Sequence, residues 1–413
     1  MGTRSFGHPH GDAMYQYFWG IRMGTRYIAS VQKNDFMRVL VCIPCLLTGG
    51  TEIQTLALVQ ALIRAGHQVR VVCYFEHSEV MVDRYRHTGA EIILFSPDGV
   101  RPVGLKATLS HLWPTLRRQV KEFRPEVTHV QYMAPGGIPI ILLRLLGAKR
   151  IVATAHTPAD IYSHGGLKLV KWLARHMLTA FQCITLRAEK SFFGSASLYE
   201  ESTSLARYGN HFTIYNALPD YISIREEGRS RRNGKTITIG VVSRLESVKG
   251  MDLVVPAFAR VCSASDRVRL LVVGDGSQRE LMEETAKELG VQEKVEFVGR
   301  KGQDELEEYY DQMDILLMPS RSEGFGLTAI EGMARGVVPV VSDTGGLPEV
   351  VTPDTGLLHE RESVDDMAAK ILELVSDDER LCHLSNGSIE RAKLFAATTY
   401  DCLIASLYSK LSR

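Results

Sequence analysis

The chain has 413 residues, with 48 basic and 48 acidic side chains and a hydrophobic fraction of 45%. This length is typical of about two to three globular domains, and the apolar content excludes an intrinsically disordered chain. A formal net charge of zero gives no support to general nucleic-acid binding. The seven cysteines are few and odd in number, which is unlike a disulfide framework and indicates a reducing, cytoplasmic compartment.

Residues 1–36 show no clear hydrophobic period. They contain neither the continuous apolar region of a secretory signal nor a run of about 18 apolar residues that could span a membrane. We expect a poorly ordered N-terminal extension, or a start codon assigned too early, because chain termini are usually loose. The alternative is a membrane-contacting aromatic arm formed by Tyr15, Tyr17, Phe18 and Trp19.

From Met37 onward, buried-type strands alternate with helical segments. The first helix is predicted at Glu52–Ala65 and ends at Gly66, a residue type favoured just after a helix. Strands separated by helices are typical of βαβ units and a parallel sheet. The strands of this first array are predicted at 38–43, 69–74, 91–95, 127–131, 150–154 and 183–186.

The alternation is interrupted between residues 218 and 235 by Pro219, two glycines and a cluster of arginines, which indicate a linker and an exposed loop. It then resumes, with strands predicted at 237–242, 269–273, 295–298, 315–318 and 337–341. The sequence therefore predicts two doubly wound, Rossmann-like α/β domains, 37–217 and 218–394, with a final helix in 395–413 packing back on the first. Ligands should bind in a cleft between them, at the carboxyl ends of strands.

The segment from Pro319 to Glu331 joins a buried strand to a helix. Gly324 and Gly326 would let a ligand approach the backbone, and the N-terminus of the helix would attract a phosphate group. Glu323 and Glu331 flank this position, where carboxylates could accept hydrogen bonds from sugar or ribose hydroxyls. The alternative is one capping glutamate and one solvated glutamate.

Three shorter segments could contribute to the same cleft. Arg244 and Lys249 leave the first strand of the second domain and could bind phosphate oxygens, or else be solvated cations. Gly49 and Gly50 precede the first helix and could form a second anion-binding site. His156 follows a strand at its carboxyl end, where it could reach the cleft or be a buried structural histidine.

In order and spacing, these segments resemble the retaining, nucleotide-sugar-dependent glycosyltransferases of the GT-B fold, family-4 type. The resemblance extends from about Met37 to the C-terminus. It rests on the E-x7-E pair at Glu323 and Glu331 and on the Arg…Lys pair at Arg244 and Lys249. Further matches are Gly49 to Glu52, Gly66-His67, Asn216, the run from Gly332 to Ser342 and the run from Gly345 to Val351.

The resemblance implies a role for each matched residue. Arg244 and Lys249 would hold the diphosphate of the donor, Glu323 would bind the hydroxyls of the donor sugar, and Glu331 would bind the ribose. His156 would lie beside the reacting sugar. The other implied donor-binding residues are Gly49, Gly50, Arg300, Gly324, Phe325, Gly326, Leu327 and Thr328.

The resemblance also implies a transfer with retention, in which the leaving phosphate helps to take the proton of the acceptor hydroxyl. Cations and the helix dipole would stabilise the leaving diphosphate. The chain has no Asp-x-Asp motif, so neither a metal ion nor a cofactor other than the donor is predicted. A glycan or lipid-linked saccharide of cell-surface polysaccharide synthesis is the expected acceptor. Arg187, where the family often has serine, and the long segment 194–210 depart from the family on the acceptor side.

Other classes remain as alternatives. A non-hydrolysing nucleotide-sugar epimerase and a non-catalytic nucleotide-sugar-binding protein would share most of these features. An NAD-dependent dehydrogenase is disfavoured, because the glycines at 274 and 276 lack the third glycine of the dinucleotide fingerprint and the next strand ends in Gly299 rather than in an acidic residue. The single C-x-x-C motif, Cys42 to Cys45, favours packing over zinc binding.

The zero net charge conceals two unlike halves. Residues 37–217 contain 20 basic and 12 acidic side chains, whereas residues 218–394 contain 22 and 33. The basic half would be the acceptor domain, and it includes a basic amphipathic helix candidate at Lys168–Arg175. The sequence favours an ordinary helix with a solvated cationic side; the alternative hypothesis is that this helix contacts the cytoplasmic face of an anionic membrane, where a lipid-linked acceptor would lie.

Overall fold

The computed structural model describes residues 36–131, 137–230 and 235–412. The predicted N-terminal extension, except Phe36, lies outside the described residues, as do Arg231, Arg232 and Gly234 of the predicted linker. Within the described residues the chain forms two parallel sheets with helices between their strands, which confirms the predicted α/β class with two doubly wound domains.

The N-terminal sheet has seven strands in the order β3-β2-β1-β4-β5-β6-β7. The inner strands are rich in apolar and β-branched residues and are largely buried on both faces, as expected for a parallel sheet covered by helices, whereas the edge strands β3 and β7 are more exposed. They are β1 Arg38–Ile43, β2 Gln68–Cys73, β3 Glu91–Leu94, β4 Val127–Gln131, β5 Ile151–Ala155, β6 Ala180–Cys183 and β7 Asn210–Thr213. The helices are α1 Gly50–Arg64, α2 Glu79–Arg86, α3 Leu105–Phe123, α4 Ile138–Leu145, α5 His164–His176 and α6 Leu186–Phe193.

The C-terminal sheet has six strands in the order β10-β9-β8-β11-β12-β13. Its strands are β8 Ile237–Val242, β9 Val268–Val273, β10 Val295–Gly299, β11 Ile315–Met318, β12 Val338–Ser342 and β13 Leu357–His359. Its helices are α7 Met251–Ala264, α8 Arg279–Glu288, α9 Leu306–Asp311, α10 Leu327–Ala334, α11 Leu347–Val350, α12 Val364–Ser376 and α13 Asp378–Ala392.

The last helix, α14 (Ala397–Ser412), packs against α1 of the N-terminal sheet. Its buried residues Ile404, Leu407 and Tyr408 belong to the same apolar core as the inner face of α1. Tyr408 also places its hydroxyl 2.7 Å from Nδ1 of His129 on β4. The chain therefore crosses between the two sheets twice, once after β7 and once before α14.

Three elements differ from the predictions. The strand predicted at 183–186 lies at Ala180–Cys183 instead, because the Thr185 side chain accepts a hydrogen bond from the N–H of Ala188 and caps helix α6. A short apolar run has no period that fixes its ends. Strands β7 and β13 were not predicted; each is the edge strand at the end of its sheet, where only one neighbour has to be paired.

Candidate active site

The loop between β11 and α10 is held in place by glycines. Gly326 is the N-cap of α10 and has a φ of 102°, a left-handed conformation that side chains rarely adopt. Gly345, with a φ of 54°, lies so close that a Cβ atom on it would be 1.6 Å from the carbonyl oxygen of Glu323. These contacts fix the backbone at Glu323 immediately before the N-terminus of α10, where unpaired N–H groups give a partial positive charge.

The segment after β8 reaches the same loop. The Nζ atom of Lys249 lies 2.8 Å from Oε2 of Glu323, and both side chains are largely buried. Gly250 permits this approach, because it has a φ of 69° and a Cβ atom there would be 2.0 Å from the carbonyl oxygen of Pro319. The structure thus brings one predicted phosphate-binding cation and one predicted sugar-binding carboxylate into direct contact.

Two contacts bring the N-terminal sheet to this loop. A Cβ atom on Gly324 would lie 2.6 Å from the carbonyl oxygen of His156, so the peptide after β5 lies directly against the β11–α10 loop. A Cβ atom on Gly50 would lie 3.4 Å from Cδ1 of Leu327 at the start of α10. The carboxyl ends of strands from both sheets therefore meet around Glu323, as expected for a ligand site in doubly wound sheets.

His156 is buried behind this interface. Its Nε2 atom lies 2.8 Å from Oε1 of Gln131, which ends β4. Burial lowers the pKa of His156 to about 4, so the ring is neutral at pH 7. A neutral imidazole at this position can donate or accept a hydrogen bond with a ligand, but it has no positive charge with which to attract a phosphate.

Glu52 occupies the first turn of α1, on the side of the cleft opposite Arg244. Its Oε1 atom accepts a hydrogen bond of 3.1 Å from the thiol of Cys45. Burial raises the pKa of Glu52, while the Cys45 thiol and, more weakly, the charge of exposed Arg244 lower it. Arg244 is therefore within electrostatic range of the opposite domain and is exposed to solvent where an anionic ligand could reach it.

Glu331 lies deeper than the predicted ribose contact implied. Its side chain is 4% exposed, and its two carboxylate oxygens accept hydrogen bonds from the hydroxyls of Tyr221 (2.8 Å) and Tyr310 (2.7 Å). Burial raises the pKa of Glu331, and both tyrosine hydroxyls oppose that shift. Each carboxylate oxygen can accept more than one hydrogen bond, so a ribose would share Glu331 with the tyrosines.

Glu349 in α11 connects the two domains on the same side. Its carboxylate accepts hydrogen bonds from the backbone N–H groups of Leu186 (2.8 Å) and Arg187 (2.6 Å), at the N-terminus of α6. The hydroxyl of Tyr215 donates a third, at 3.2 Å. Burial raises the pKa of Glu349, and the two N–H groups are the next largest causes and lower it. A carboxylate of one domain thus satisfies the orphan donors of a helix in the other.

The other predicted donor-binding residues Phe325, Thr328 and Arg300 show no polar side-chain contact with the Lys249–Glu323 pair among the described residues. The Phe325 side chain is 2% exposed and packs edge-to-face or tilted against Tyr215 and Phe395, so only its backbone could touch a ligand. Thr328 is half-buried in the first turn of α10. Arg300 is exposed just after β10, and the described residues show no hydrogen bond or ion pair between it and the Lys249–Glu323 pair.

Sequence reasoning gave no role to several residues that shape this site: Gln131, Glu52, Tyr221, Tyr310 and Glu349. Gln131 could have been recognised from the sequence, because it ends β4, the strand next to the one that His156 follows, and so lies at the same edge of the sheet. Tyr221 and Tyr310 lie 110 and 21 positions along the chain from Glu331, so no local pattern could have revealed their contacts. Glu349 lies in the matched run from Gly345 to Val351, but Leu186, which it binds, is 163 positions away, so the run did not reveal this contact.

The chain matches two family models, described as Glycosyltransferase Family 4 over residues 48–207 and Glycosyl transferases group 1 over residues 223–391. Of the curated relatives, the GDP-mannose-dependent alpha-(1-6)-phosphatidylinositol monomannoside mannosyltransferase of Mycobacterium tuberculosis is 28% identical over 321 residues, covering 75% of this chain and 82% of that protein. The N-acetyl-alpha-D-glucosaminyl L-malate synthase of Bacillus anthracis is 26% identical, covering 86% and 91%.

The fold is shared with solved structures. Alr3699/HepE from Anabaena, in complex with UDP and glucose, superposes with a TM-score of 0.70 at 17% identity, over 90% of this chain and 99% of that one. Sucrose-phosphate synthase from Thermosynechococcus elongatus gives a TM-score of 0.71 at 21% identity, over 91% and 99%. The chain has two doubly wound domains whose strand ends meet at Glu323, and it matches both family models. The chain therefore belongs to the glycosyltransferases of the GT-B fold.

Proposed function

We propose that the protein transfers a sugar, with retention of configuration, from a nucleotide-diphosphate sugar to a hydroxyl acceptor. The observation that carries the proposal is the Lys249–Glu323 pair at the N-terminus of α10, against the peptide of His156 from the other domain. A cation and unpaired helix N–H groups suit a diphosphate, and the adjacent carboxylate suits sugar hydroxyls. One small region thus offers both chemistries that a nucleotide sugar requires.

The donor would occupy the cleft with its diphosphate between Lys249 and Arg244. When the bond to the sugar breaks, negative charge develops on the diphosphate, and both cations together with the α10 N-terminus stabilise it. Glu323 would then bind sugar hydroxyls, and Glu331 would bind the ribose while its tyrosine contacts keep it in place. This charge compensation comes entirely from protein groups, so we propose that the transfer needs no divalent metal ion.

The retaining stereochemistry would follow from a transfer on one face of the sugar. The acceptor hydroxyl would approach beside the leaving diphosphate and give its proton to a phosphate oxygen, while the new bond forms on the face that the diphosphate leaves. We assign the acceptor side to the N-terminal domain, near His156 and the N-terminus of α6. Arg187 there has a side chain that is 57% exposed and 3.9 Å from Asp343, so it could attract an anionic acceptor group.

We propose a glycan or lipid-linked saccharide as the acceptor, at the inner face of a cell membrane. The M. tuberculosis relative is named for a phosphatidylinositol mannoside acceptor, which favours a lipid-linked substrate here. Helix α5 supports membrane contact, because Leu169 and Trp172 are exposed beside Lys168, Lys171 and Arg175. Among the helices of residues 36–131, 137–230 and 235–412, none is both long and apolar enough to cross a bilayer.

Membrane contact is tested by liposome flotation with and without anionic lipid. We expect binding only to the anionic vesicles, and weaker binding at high salt because the attraction is screened. The variant Trp172→Ser with Lys171→Ser should reduce flotation, whereas Leu289→Ser, an exposed leucine of the acidic domain, should leave it unchanged. Equal binding to neutral and anionic vesicles would contradict the proposal.

The donor is identified by a thermal-shift screen of nucleotide sugars, because a ligand that binds only the folded protein raises the unfolding midpoint. A hit is then incubated with candidate acceptors, and the anomeric configuration of the product is read by NMR. Retention is expected, with unchanged activity in EDTA. Inversion would refute the retaining mechanism, and loss of activity in EDTA that Mg²⁺ or Mn²⁺ restores would refute metal independence.

The same assay separates the alternative classes. A donor that is converted to its epimer in the absence of any acceptor would identify an epimerase. A donor that raises the unfolding midpoint but is neither hydrolysed nor transferred would identify a binding protein without turnover. Glucose, mannose and N-acetylglucosamine donors of both UDP and GDP are included, because UDP and GDP-mannose appear in the names of similar proteins.

A further inference from the structure

Gln131 is an amide in a position where nothing in the proposed reaction requires one. It is the last residue of β4, is 2% exposed, and lies opposite Thr154 of β5 in the parallel register. Its Oε1 atom is 2.8 Å from Nε2 of His156, which lies two residues farther along the chain than Thr154. The amide thus lies between two buried strands and contacts the imidazole of His156, whose backbone carbonyl oxygen lies against Gly324.

In the structure Oε1 of Gln131 is turned toward the ring, and this orientation of the amide favours one imidazole tautomer. An amide oxygen has no hydrogen and accepts, so Nε2 donates to it, and in a neutral ring Nδ1 then has a free lone pair. The one neighbouring titratable group on β4 is His129, which also bonds through both nitrogens, to Tyr408 and Thr154. Burial lowers the pKa of His129 to about 3, so it brings no charge toward His156.

Two charged groups of the other domain that lie near His156, Glu323 and Lys249, are paired with each other. The peptide of His156 lies against Gly324, and the neighbouring Glu323 is bonded to Lys249. A carboxylate and an ammonium group in contact largely cancel each other's field at a distance. Burial therefore keeps the imidazole of His156 neutral, and Gln131 is the polar group in contact with its Nε2 atom.

We propose that Gln131 is a positioning residue that fixes His156 in the Nε2–H tautomer and so leaves Nδ1 as a hydrogen-bond acceptor for a hydroxyl of the substrate. The inference rests on the proposed glycosyl transfer. In this tautomer His156 orients a hydroxyl of the donor sugar or of the acceptor without removing its proton. The proton of the acceptor hydroxyl then goes to the leaving phosphate, and the imidazole is unchanged at the end of the reaction.

The test compares Gln131→Glu and Gln131→Met with a control, Gln182→Met. Gln182 is a buried amide on β6, opposite Thr154 in the register, so its loss matches that of Gln131 in burial and in sheet position. In Gln131→Glu, a carboxylate beside the imidazole would raise the pKa of His156 from about 4 to about 5–7. The variant should therefore lose activity toward acidic pH, with a new midpoint in that range, where the wild type is level.

Gln131→Met removes the acceptor of Nε2–H and should lower kcat/KM by at least about tenfold, while Gln182→Met should retain wild-type activity. A level pH profile for Gln131→Glu, or equal losses in Gln131→Met and Gln182→Met, would mean that Gln131 only supports the fold. Either result would overturn the proposal.

The tautomer itself is measured by ¹⁵N NMR of the wild type labelled at histidine. The His156 signal, identified among the 13 histidines by its absence from His156→Asn, should show a protonated Nε2 and an unprotonated Nδ1. The reverse pattern would overturn the positioning role even in an active transferase. The expected tautomer in a protein that transfers no sugar would instead refute the proposed function, so the two failures are distinguishable.

Discussion

The contact between Glu349 and the N-terminus of α6 provides a direct test of how the two domains are held together. Glu349→Gln is nearly isosteric but keeps only one acceptor oxygen. Its NH₂ group would face the N–H of Leu186 or of Arg187, to which the carboxylate is bonded at 2.8 and 2.6 Å. We therefore expect this side of the domain interface to open more often.

The magnitude follows from the bond that is lost. A hydrogen bond to a charged group contributes about 1.5–3 kcal/mol, and an unsatisfied buried donor costs a similar amount. When the interface opens, water satisfies both N–H groups, so only part of this energy distinguishes the closed from the open form. We expect a loss of about 2–3 kcal/mol, which corresponds to opening that is about 30- to 140-fold more frequent, since 1.4 kcal/mol is a factor of ten.

Amide hydrogen exchange measures this opening at the affected residues. Exchange of the N–H groups of Leu186 and Arg187 requires that they separate from Glu349, so their exchange rate should rise by the same factor in Glu349→Gln. The control is Glu390→Gln, which changes an exposed glutamate that pairs with Lys393, three residues later. Equal exchange at Leu186 and Arg187 in wild type and Glu349→Gln would refute the reasoning, because these bonds would then not hold the domains together.

The other predictions concern the paired charges and the buried histidines. Glu323→Gln should lower transfer by about 100-fold or more without lowering the thermal unfolding midpoint; activity within a few-fold of wild type would show that Glu323 is not at the donor site. Lys249→Met should weaken nucleotide-diphosphate binding by about 10- to 150-fold, measured by calorimetry; unchanged affinity would exclude its phosphate role. Burial lowers the pKa of His129 to about 3 and of His156 to about 4, so the unfolded chain binds more protons below about pH 6.5 and stability falls as the pH falls. Between pH 6.5 and pH 5, each of these histidines should lower the free energy of unfolding by about 2 kcal/mol. The urea midpoint of His156→Asn should therefore fall less steeply as the pH falls than the midpoint of the wild type. Equal slopes for the two proteins would contradict this.

Several features of the site were predictable because they depend on short stretches of chain. The glycines around Glu323, the strand before them and the helix after them all lie within Pro319–Glu331, and the structure has them in that order. The position of Lys249 after a strand left it open between a phosphate ligand and a solvated cation, and the family resemblance implied the former; in the structure Lys249 contacts Glu323. The assigned functions of these residues stay predictions until the donor is known.

The hydrogen-bond partners of Glu331 could not be predicted from the sequence. Its place in the E-x7-E pair was evident, but no sequence pattern indicated that the hydroxyls of Tyr221 and Tyr310 would bond to its two carboxylate oxygens. Tyr221 comes from the crossing between the domains and Tyr310 from α9, so their meeting depends on how two distant segments pack. The shifted strand β6 has a similar cause, because its end is set by the cap of α6 and not by the pattern of apolar residues.

The α/β class, the two arrays of strands and the glycine-lined segments could be predicted from the amino-acid sequence, because they depend on local hydrophobic pattern and on backbone conformations that only glycine adopts freely. The polar contacts could not: Gln131 with His156, Tyr310 with Glu331, and Glu349 with the N-terminus of α6 were established only by the folded structure. A buried polar group needs a hydrogen-bond partner, and packing, not proximity in the chain, brings that partner within reach.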